Sequence, residues 1–386
     1  MIYQEPRLSL EDKAVLQLIE EQRKVLAFET QHNPRRWTGT IRRRNFAKAI
    51  QGSNSIEGYN ASVDEAIGII ENERVDDHTE TWQALTGYRD ALTYIMQIAR
   101  DPDFEFNKQL LKSLHFMMLN YDMNKNPGQW RPGAIWIVSS KTRNTVYDAP
   151  DREQIEPLIH ELCDYIERGN HQDLLVKAAM VHLNLTLIHP FSDGNGRMAR
   201  AMQTLILALD GLMHPVFSSI EEWLGLNTDD YYKTLGEVAK GKWSPENSAE
   251  PWIKFCLKAH YQQAATLLRR NSEYEKLYAE IEALTKKYDL HERTALPLFD
   301  SALGMTLTNA RYQEGASVTS QTAKRDLKSL LDLHLLDAVG ENRARKYTPG
   351  HELREARQRI RIKRPLRDPY EIVNEITPDD QGSLQF

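Results

Sequence analysis

The sequence predicts an all-α fold, a helical bundle that carries one β-hairpin and is followed by a C-terminal winged helix-turn-helix domain. Three observations predict it. Apolar residues recur with helical periodicity over most of the first three hundred positions. One stretch, from Gly128 to Tyr147, breaks that rhythm with branched and aromatic residues on both sides of a polar turn. From about Arg293 the texture changes to short helices, a small-residue turn and a second hairpin-like segment.

In chain order, Glu11 to Phe28, Asn45 to Ile56, Val63 to Glu73, Glu80 to Ala99 and Asn107 to Tyr121 read as helices, broken by Pro34, Gly39, Pro102 and Pro127. Gly128 to Val138, the polar turn Ser139 to Asn144 and Thr145-Val146-Tyr147 read as the hairpin. Gln154 to Arg168, Leu174 to Ile188, Met198 to Leu209 and Thr228 to Ala239 return to helix. Trp252 to Tyr288 reads as a long, rigid connecting helix with a break near Asn271. Arg293 to Leu298 and Ala302 to Arg311 are short helices, and the turn at Ser317-Val318-Thr319 starts a capped helix that runs into Leu330, Leu331 and Leu333. Leu335 to Tyr347, around Gly340, closes the domain as its wing.

The chain of 386 residues, 41% hydrophobic and 27% charged, can bury a large core and more than one domain. Its net charge of -6 gives no global reason to expect nucleic-acid binding. Cys163 and Cys256 stand far apart, in neither a disulfide framework nor a zinc spacing, and suit a reducing cytoplasm. No apolar run approaches a membrane span and the N-terminus lacks a secretory core, so the expectation is a soluble cytoplasmic protein with no membrane partner.

The chemistry concentrates in His189-Pro190-Phe191-Ser192-Asp193-Gly194-Asn195-Gly196-Arg197-Met198-Ala199-Arg200, a tight loop between two apolar helical runs. Such a loop ends at a helix N-terminus, where free N–H groups and the positive end of the macrodipole make an anion cradle of Gly194, Asn195 and Gly196. Arg197 and Arg200 lie three apart, hence on one face, and point guanidinium groups at the same region. Cations at a helix start oppose the dipole, a placement that makes sense with an anion between them. Asp193 is the lone carboxylate and a hard ligand suited to Mg2+ beside phosphates. His189, at the loop entrance, is a candidate base. Nucleotidyl or phosphoryl transfer is the chemistry these groups suit.

This string resembles the Fic motif, H-x-F-x-D/E-G-N-G-R-x-x-R, at every fixed position: His189, Phe191, Asp193, Gly194, Asn195, Gly196, Arg197 and Arg200. The resemblance implies a helical enzyme that moves AMP from ATP to a Ser, Thr or Tyr hydroxyl of a target protein and releases pyrophosphate. It assigns the base to His189, the Mg2+ ligand to Asp193, the anion hole to Gly194 through Gly196 and phosphate contacts to Arg197 and Arg200, with Phe191 as the buried anchor. A sister branch that transfers phosphate carries lysine where Gly196 stands here, which favours AMP transfer.

Ser53-Asn54-Ser55-Ile56-Glu57-Gly58 resembles the family's inhibitory pattern S/T-x-x-x-E-G/N. Ser53 and Glu57 are one helical turn apart, and Gly58 suits a helix end. The resemblance implies that Glu57 could pair with Arg200 and take the place of the ATP γ-phosphate, which would restrain the enzyme. The hairpin occupies the place of the family's flap, where a strand edge registers a target peptide by main-chain bonding. Leu226 to Leu235 resembles the family's N-x-x-x-Y-Y segment near the adenine, which points to Asn227, Tyr231 and Tyr232, with one of the two tyrosines able to reach the base.

The expected divisions are residues 1–104, a helical region with the inhibitory motif; 105–245, the Fic catalytic core; 246–290, connecting helices; 291–350, the winged helix-turn-helix; and 351–386, a basic tail. From Arg343 to Arg367 ten Lys or Arg residues meet two acids, Glu352 and Glu355. That run could track the phosphates of DNA or RNA or an acidic protein surface, or be solvated surface or tail. Arg35, Arg36, Arg42, Arg43 and Arg44 form a smaller basic group, read as surface. Three functions remain open: a self-inhibited adenylyltransferase acting on a target protein or on itself, the same site removing AMP from modified proteins, and a DNA-binding regulator whose Fic core senses nucleotide. Pairing of two copies is a further family-based expectation.

Overall fold

The computed structural model describes residues 1–32, 35–72, 79–138, 145–168, 173–211, 214–341 and 345–375. Its helices start where cap chemistry permits. Ser9 and Asp12 form a capping box at the head of α1 (Leu10–Ala27), and Ser62 with Glu65 does the same for α3 (Val63–Ile70). Between them runs α2 (Thr38–Ile56). Thr79, Asn107 and Asp173 cap α4 (Glu80–Ile98), α5 (Lys108–Leu119) and α7 (Leu174–Ile188). The hairpin β1 (Trp136–Val138) and β2 (Thr145–Asp148) precedes α6 (Ile155–Glu167), and α8 (Asn195–Leu209) follows α7. Then come α9 (Pro215–Ser218), α10 (Glu221–Leu226), α11 (Thr228–Ala239) and α12 (Glu250–Lys287). The C-terminal elements are α13 (Ala295–Ala302), α14 (Asn309–Ala316), α15 (Ser320–Asp332), β3 (Leu336–Val339), β4 (Lys346–Pro349), α16 (His351–Ile360) and α17 (Pro369–Glu375).

Among the described residues the all-α class and a single hairpin within the first three hundred stand as expected, with shifts at element ends. Asn195, Gly196 and Arg197 begin α8 rather than preceding it. Helix α12 continues through Asn271 without a break, because nothing around that residue, neither Gly nor Pro, interrupts the ladder. The short helix expected over Ala302 to Arg311 starts later, at Asn309 behind the Thr308 cap. Pro34, Glu73, the hairpin turn Ser139 to Asn144, Arg343 and the last eleven residues, 376–386, lie outside the described residues.

The chain divides into two units. The first comprises Met1–His32, Asn45–Ala265 and the described segment from Leu366; the second comprises Asn33–Arg44 and Thr266–Pro365. At the centre of the first, α7 buries every residue from Leu175 to Ile188 except Lys177, as a helix apolar all round must. It packs most extensively on α8, and α4, α5 and α6 surround the pair. The α7–α8 turn therefore stands on the most deeply buried scaffold of the unit. Cys163 and Cys256 are buried and unbonded. Among the described residues no helix is long and apolar enough to cross a membrane.

In the second unit Trp37 packs on Tyr278 and Phe299, and Asp300 is bonded by Thr40 at 2.8 Å and paired with Arg43 at 3.3 Å. So part of the smaller basic group is engaged rather than merely solvated. Helices α13 to α15 precede the antiparallel β3–β4 pair, and α15 is fixed by Arg293, which grips buried Asp326 at 2.7 and 2.9 Å. Residues 351–360, which charge alone suggested as tail, fold as α16 with Leu353, Ala356 and Ile360 buried. Its arginines are largely spoken for: Arg354 pairs with Asp337, Arg357 with Glu273 and Arg359 with Glu280.

Where α4 crosses α5, Gly87 lies so close that a Cβ would stand 2.5 Å from the Met118 carbonyl and 2.9 Å from that of Met117. Gly87→Ala is expected to destabilise the protein by about 1–3 kcal/mol, the usual cost of overpacking. A lowered urea midpoint with native circular dichroism checks it.

Candidate active site

Helix α7 ends on His189 in the left-handed conformation, φ 52° and ψ 56°, with its N–H still bonded to the Leu185 carbonyl at 3.1 Å. A side chain pays about 1 kcal/mol or more for that backbone, so the surroundings must hold it. They also set its chemistry. Nδ1 lies 3.1 Å from the Thr186 carbonyl oxygen, which can only accept, so Nδ1 carries the proton and Nε2 keeps its lone pair. Burial pushes the imidazole pKa below its ordinary 6.5, outweighing the carbonyl contact.

The loop behind it is clamped from inside and out. Phe191 is fully buried, stacked on His115 at 3.7 Å and tilted against Trp130 at 4.9 Å. The Asn195 side chain closes the turn on itself, accepting from the Phe191 N–H and donating to the Phe191 carbonyl, both at 2.9 Å. Gly194 has φ +76°, and a Cβ there would lie 2.8 Å from Leu119 Cδ1, so glycine is required twice over. His115 accepts from the Gly128 N–H at 2.8 Å through Nδ1 and therefore donates through Nε2 to the Asp193 carbonyl at 3.0 Å. Burial lowers its pKa to about 4, so it serves as a neutral prop.

Arg131 joins the loop to the hairpin. Its N–H donates to the Pro190 carbonyl and its Nε to the His189 carbonyl, each at 2.9 Å. Its remaining guanidinium nitrogens donate to the carbonyls of Gly133 and Pro150. The Tyr147 hydroxyl on β2 donates to the Leu187 carbonyl at 2.6 Å. The Asp148 backbone bonds to Gly241 and Trp243, which ties down the far side of β2. Among the described residues no backbone bond is made on the outer edge of β1, where Trp136 is exposed.

At the other end of the loop, α8 starts behind Gly194 with no side-chain cap. Arg197 is fully buried, and none of its three guanidinium nitrogens has a hydrogen-bond partner; its nearest carboxylate is Asp193 Oδ2 at 3.8 Å. Arg200, equally buried, donates from Nε to Ser53 Oγ at 2.7 Å and from Nη2 to the Ser53 carbonyl at 3.0 Å and Glu57 Oε1 at 2.6 Å. Burial opposes its charge, but the Glu57 carboxylate together with the neighbouring Tyr231 and Tyr88 outweighs burial and holds its pKa above the ordinary value. Glu57 Oε1 also lies against Gly196, so close that a Cβ there would collide with it. The Glu57 carboxylate, in the turn that ends α2, thus fills the mouth of the α8 N-terminus. Gly58, φ +87°, turns the chain away immediately afterwards.

Asp193 accepts from the Gly194 N–H at 2.6 Å through Oδ1, while Oδ2 faces Lys125 Nζ at 3.1 Å. Burial raises its pKa, but Arg197 and Lys125 prevail and hold it below the usual carboxylate range. Among the described residues no cluster of three or more His, Cys, Asp or Glu gathers to hold a metal. One partly exposed hard oxygen at the edge of an anion cradle does fit a Mg2+ ion whose other ligands are phosphate and water.

Of the residues expected near adenine, Asn227 ends α10 with its Nδ2 on the Trp223 carbonyl at 2.8 Å. Tyr231 is a core residue, 1% exposed, its hydroxyl 3.0 Å from His182 Nε2 and its ring against Trp252. Tyr232 keeps half its surface open and bonds the Ile56 carbonyl at 3.3 Å, at the end of α2. The fold therefore brings His189, Asp193, Arg197, Arg200, Ser53, Glu57 and Tyr232 into one neighbourhood and sets Tyr231 behind it. Sequence reading missed Arg131, His115, Lys125 and Tyr59. Each lies 58 or more positions from its loop partner, and only the Gly128 to Val138 stretch drew notice, as part of the hairpin.

Residues 105–207 match the family described as Fic/DOC. The chain is 23% identical over 248 residues to Protein adenylyltransferase Fic of Nematostella vectensis, covering 62% of this chain and 53% of that protein. It is also 23% identical over 175 residues to Probable protein adenylyltransferase aq_aa38 of Aquifex aeolicus (strain VF5), covering 45% and 51%. It thus spans about half the length of these relatives. The crystal structure of a Fic family protein from Desulfovibrio desulfuricans G20 shares the fold with a TM-score of 0.58 at 20% identity, over 90% of this chain and 99% of that one. The motif loop at the α7–α8 turn lies inside residues 105–207, the stretch of the chain that matches the Fic/DOC family.

Proposed function

We propose that this protein is a protein adenylyltransferase restrained by its own α2, transferring AMP from ATP to a hydroxyl side chain of a target protein or of itself. The observation that carries the reading is the Glu57 carboxylate seated on Arg200 at the uncapped head of α8, where a phosphate would bind. Arg197 and Arg200 with the α8 N–H groups hold the triphosphate. Asp193 would hold Mg2+, which neutralises phosphate charge when bound. His189 Nε2 takes the proton of the target hydroxyl, whose oxygen bonds to the α-phosphorus as the bond to the β-phosphate oxygen breaks and pyrophosphate leaves. The open edge of β1 pairs with the backbone of the target. Asn227 and Tyr232 lie on the adenine side. Glu57, anionic and in the way of the outer phosphate, disfavours the productive pose.

The C-terminal unit reads as a winged helix-turn-helix, with α14 and α15 as the helix pair and β3–β4 as the wing. Helix α15 exposes Lys324, Arg325 and Lys328, a face suited to phosphates, whereas the pairing of Arg354, Arg357 and Arg359 leaves the later basic run less charge to offer. A salt-sensitive gel shift with DNA, reduced by reversing those three charges on α15, supports contact with nucleic acid; no shift at low salt rejects it. Buried free cysteines accord with a cytoplasmic location.

Incubation with labelled ATP and Mg2+ tests the main reading. Glu57→Gly is expected to raise AMP incorporation, and adding His189→Ala to lower it by about a hundredfold or more. If Glu57 instead aligns water to remove AMP, Glu57→Gly loses activity on an AMP-modified protein, the opposite sign. The depressed pKa of His189 keeps Nε2 unprotonated as pH falls through 6.5. The acid limb of the Glu57→Gly rate profile is therefore expected below that value, and a limb above it contradicts the assignment.

A further inference from the structure

We propose that Lys125 is a third cation of the phosphate site, directed at the outer phosphates of a nucleoside triphosphate, and that Tyr59 holds Lys125 and Arg197 covered while α2 is docked. The inference rests on the nucleotide reading of the α7–α8 loop. Lys125 comes from the short turn Met123–Lys125 after α5, its side chain 18% exposed. Its Nζ lies 3.1 Å from Asp193 Oδ2, the same oxygen that Arg197 approaches at 3.8 Å. Two cations thus converge on one carboxylate oxygen at the edge of the anion cradle. A polyanion held by Arg197 would lie beside that ammonium, since both cations face the same Asp193 oxygen.

What occupies these cations in the docked state comes from the segment just after α2 and from α4. Tyr59, the residue after Gly58, places its ring against both: Arg197 Cζ is 5.1 Å and Lys125 Nζ 5.6 Å from the ring centroid. Its hydroxyl donates to Glu80 Oε1 at 2.9 Å and accepts from Lys125 at 3.0 Å, and Lys125 reaches Glu80 itself at 2.6 Å. The guanidinium of Arg197, fully buried and without a hydrogen-bond partner, meets an aromatic face, a weak substitute for phosphate oxygens. The end of α2 is therefore fastened at two points, Glu57 on Arg200 and Tyr59 on Arg197 and Lys125. Triphosphate competes for both points, monophosphate for fewer.

Calorimetric titration of the full chain with ATP and with AMP reads this without any transfer reaction. In the Glu57→Gly background, Lys125→Met is expected to weaken ATP by about tenfold, the loss of one charge-assisted contact, and to leave AMP unchanged, with Lys125→Arg retaining ATP binding. Tyr59→Ala is expected to tighten ATP several-fold. The opposite signs distinguish this role from loop support, since removing either member of a merely structural bond would act in one direction on both ligands. Equal losses for ATP and AMP, unchanged ATP binding in Lys125→Met, or weaker ATP binding in Tyr59→Ala overturns the inference. A Glu57→Gly chain that binds neither nucleotide removes the nucleotide reading itself, a separately visible failure.

Discussion

Two guanidinium groups, Arg197 and Arg200, are buried at the N-terminal end of α8, where the helix dipole already places positive charge. Leaving a buried charge unpaired costs several kcal/mol, so the arrangement persists only with anions close by. Glu57, Asp193 and the Ser53 oxygens supply part of that compensation. The nitrogens of Arg197 that find no partner show that the compensation is incomplete. A site short of negative charge, built on the most buried helix pair of its unit, is prepared for a polyanion. The same shortage draws a carboxylate from the chain itself.

Around that electrostatic demand the loop is over-determined. Phe191 is pinned by stacking, Asn195 by bonding both polar groups of Phe191, and His189 by the Thr186 carbonyl and Arg131. These contacts hold a strained left-handed histidine in one tautomer, with the basic nitrogen free. Arg131 bonds the loop and the segment leading into β1 together, so one side chain fixes His189 relative to the start of the strand.

The loop itself was legible because its information is contiguous. Helical spacing puts Arg197 and Arg200 on one face, and Gly194 and Gly196 stand where backbone must approach another group. The Glu57–Arg200 pair was legible only with the family pattern in hand, since 143 residues separate the two. Tyr231 and Tyr232 were indistinguishable as letters. Adjacent positions on a helix point in different directions, and only the packing of α11 sends one into the core against His182 and leaves the other open. The basic run after Arg343 misled for the same reason, as charge density in sequence does not reveal that α16 pairs its arginines with Glu273, Glu280 and Asp337.

Periodicity, caps and glycine placement determined the helical class, the hairpin and the chemistry of one turn, because each depends on neighbours within a few residues. Long-range packing alone decided which carboxylate answers Arg200, which carbonyls Arg131 grips, and that Lys125 and Tyr59 meet Arg197 and Asp193. Periodicity specifies which face of a helix is apolar or charged; what that face touches is settled when separate helices share one core.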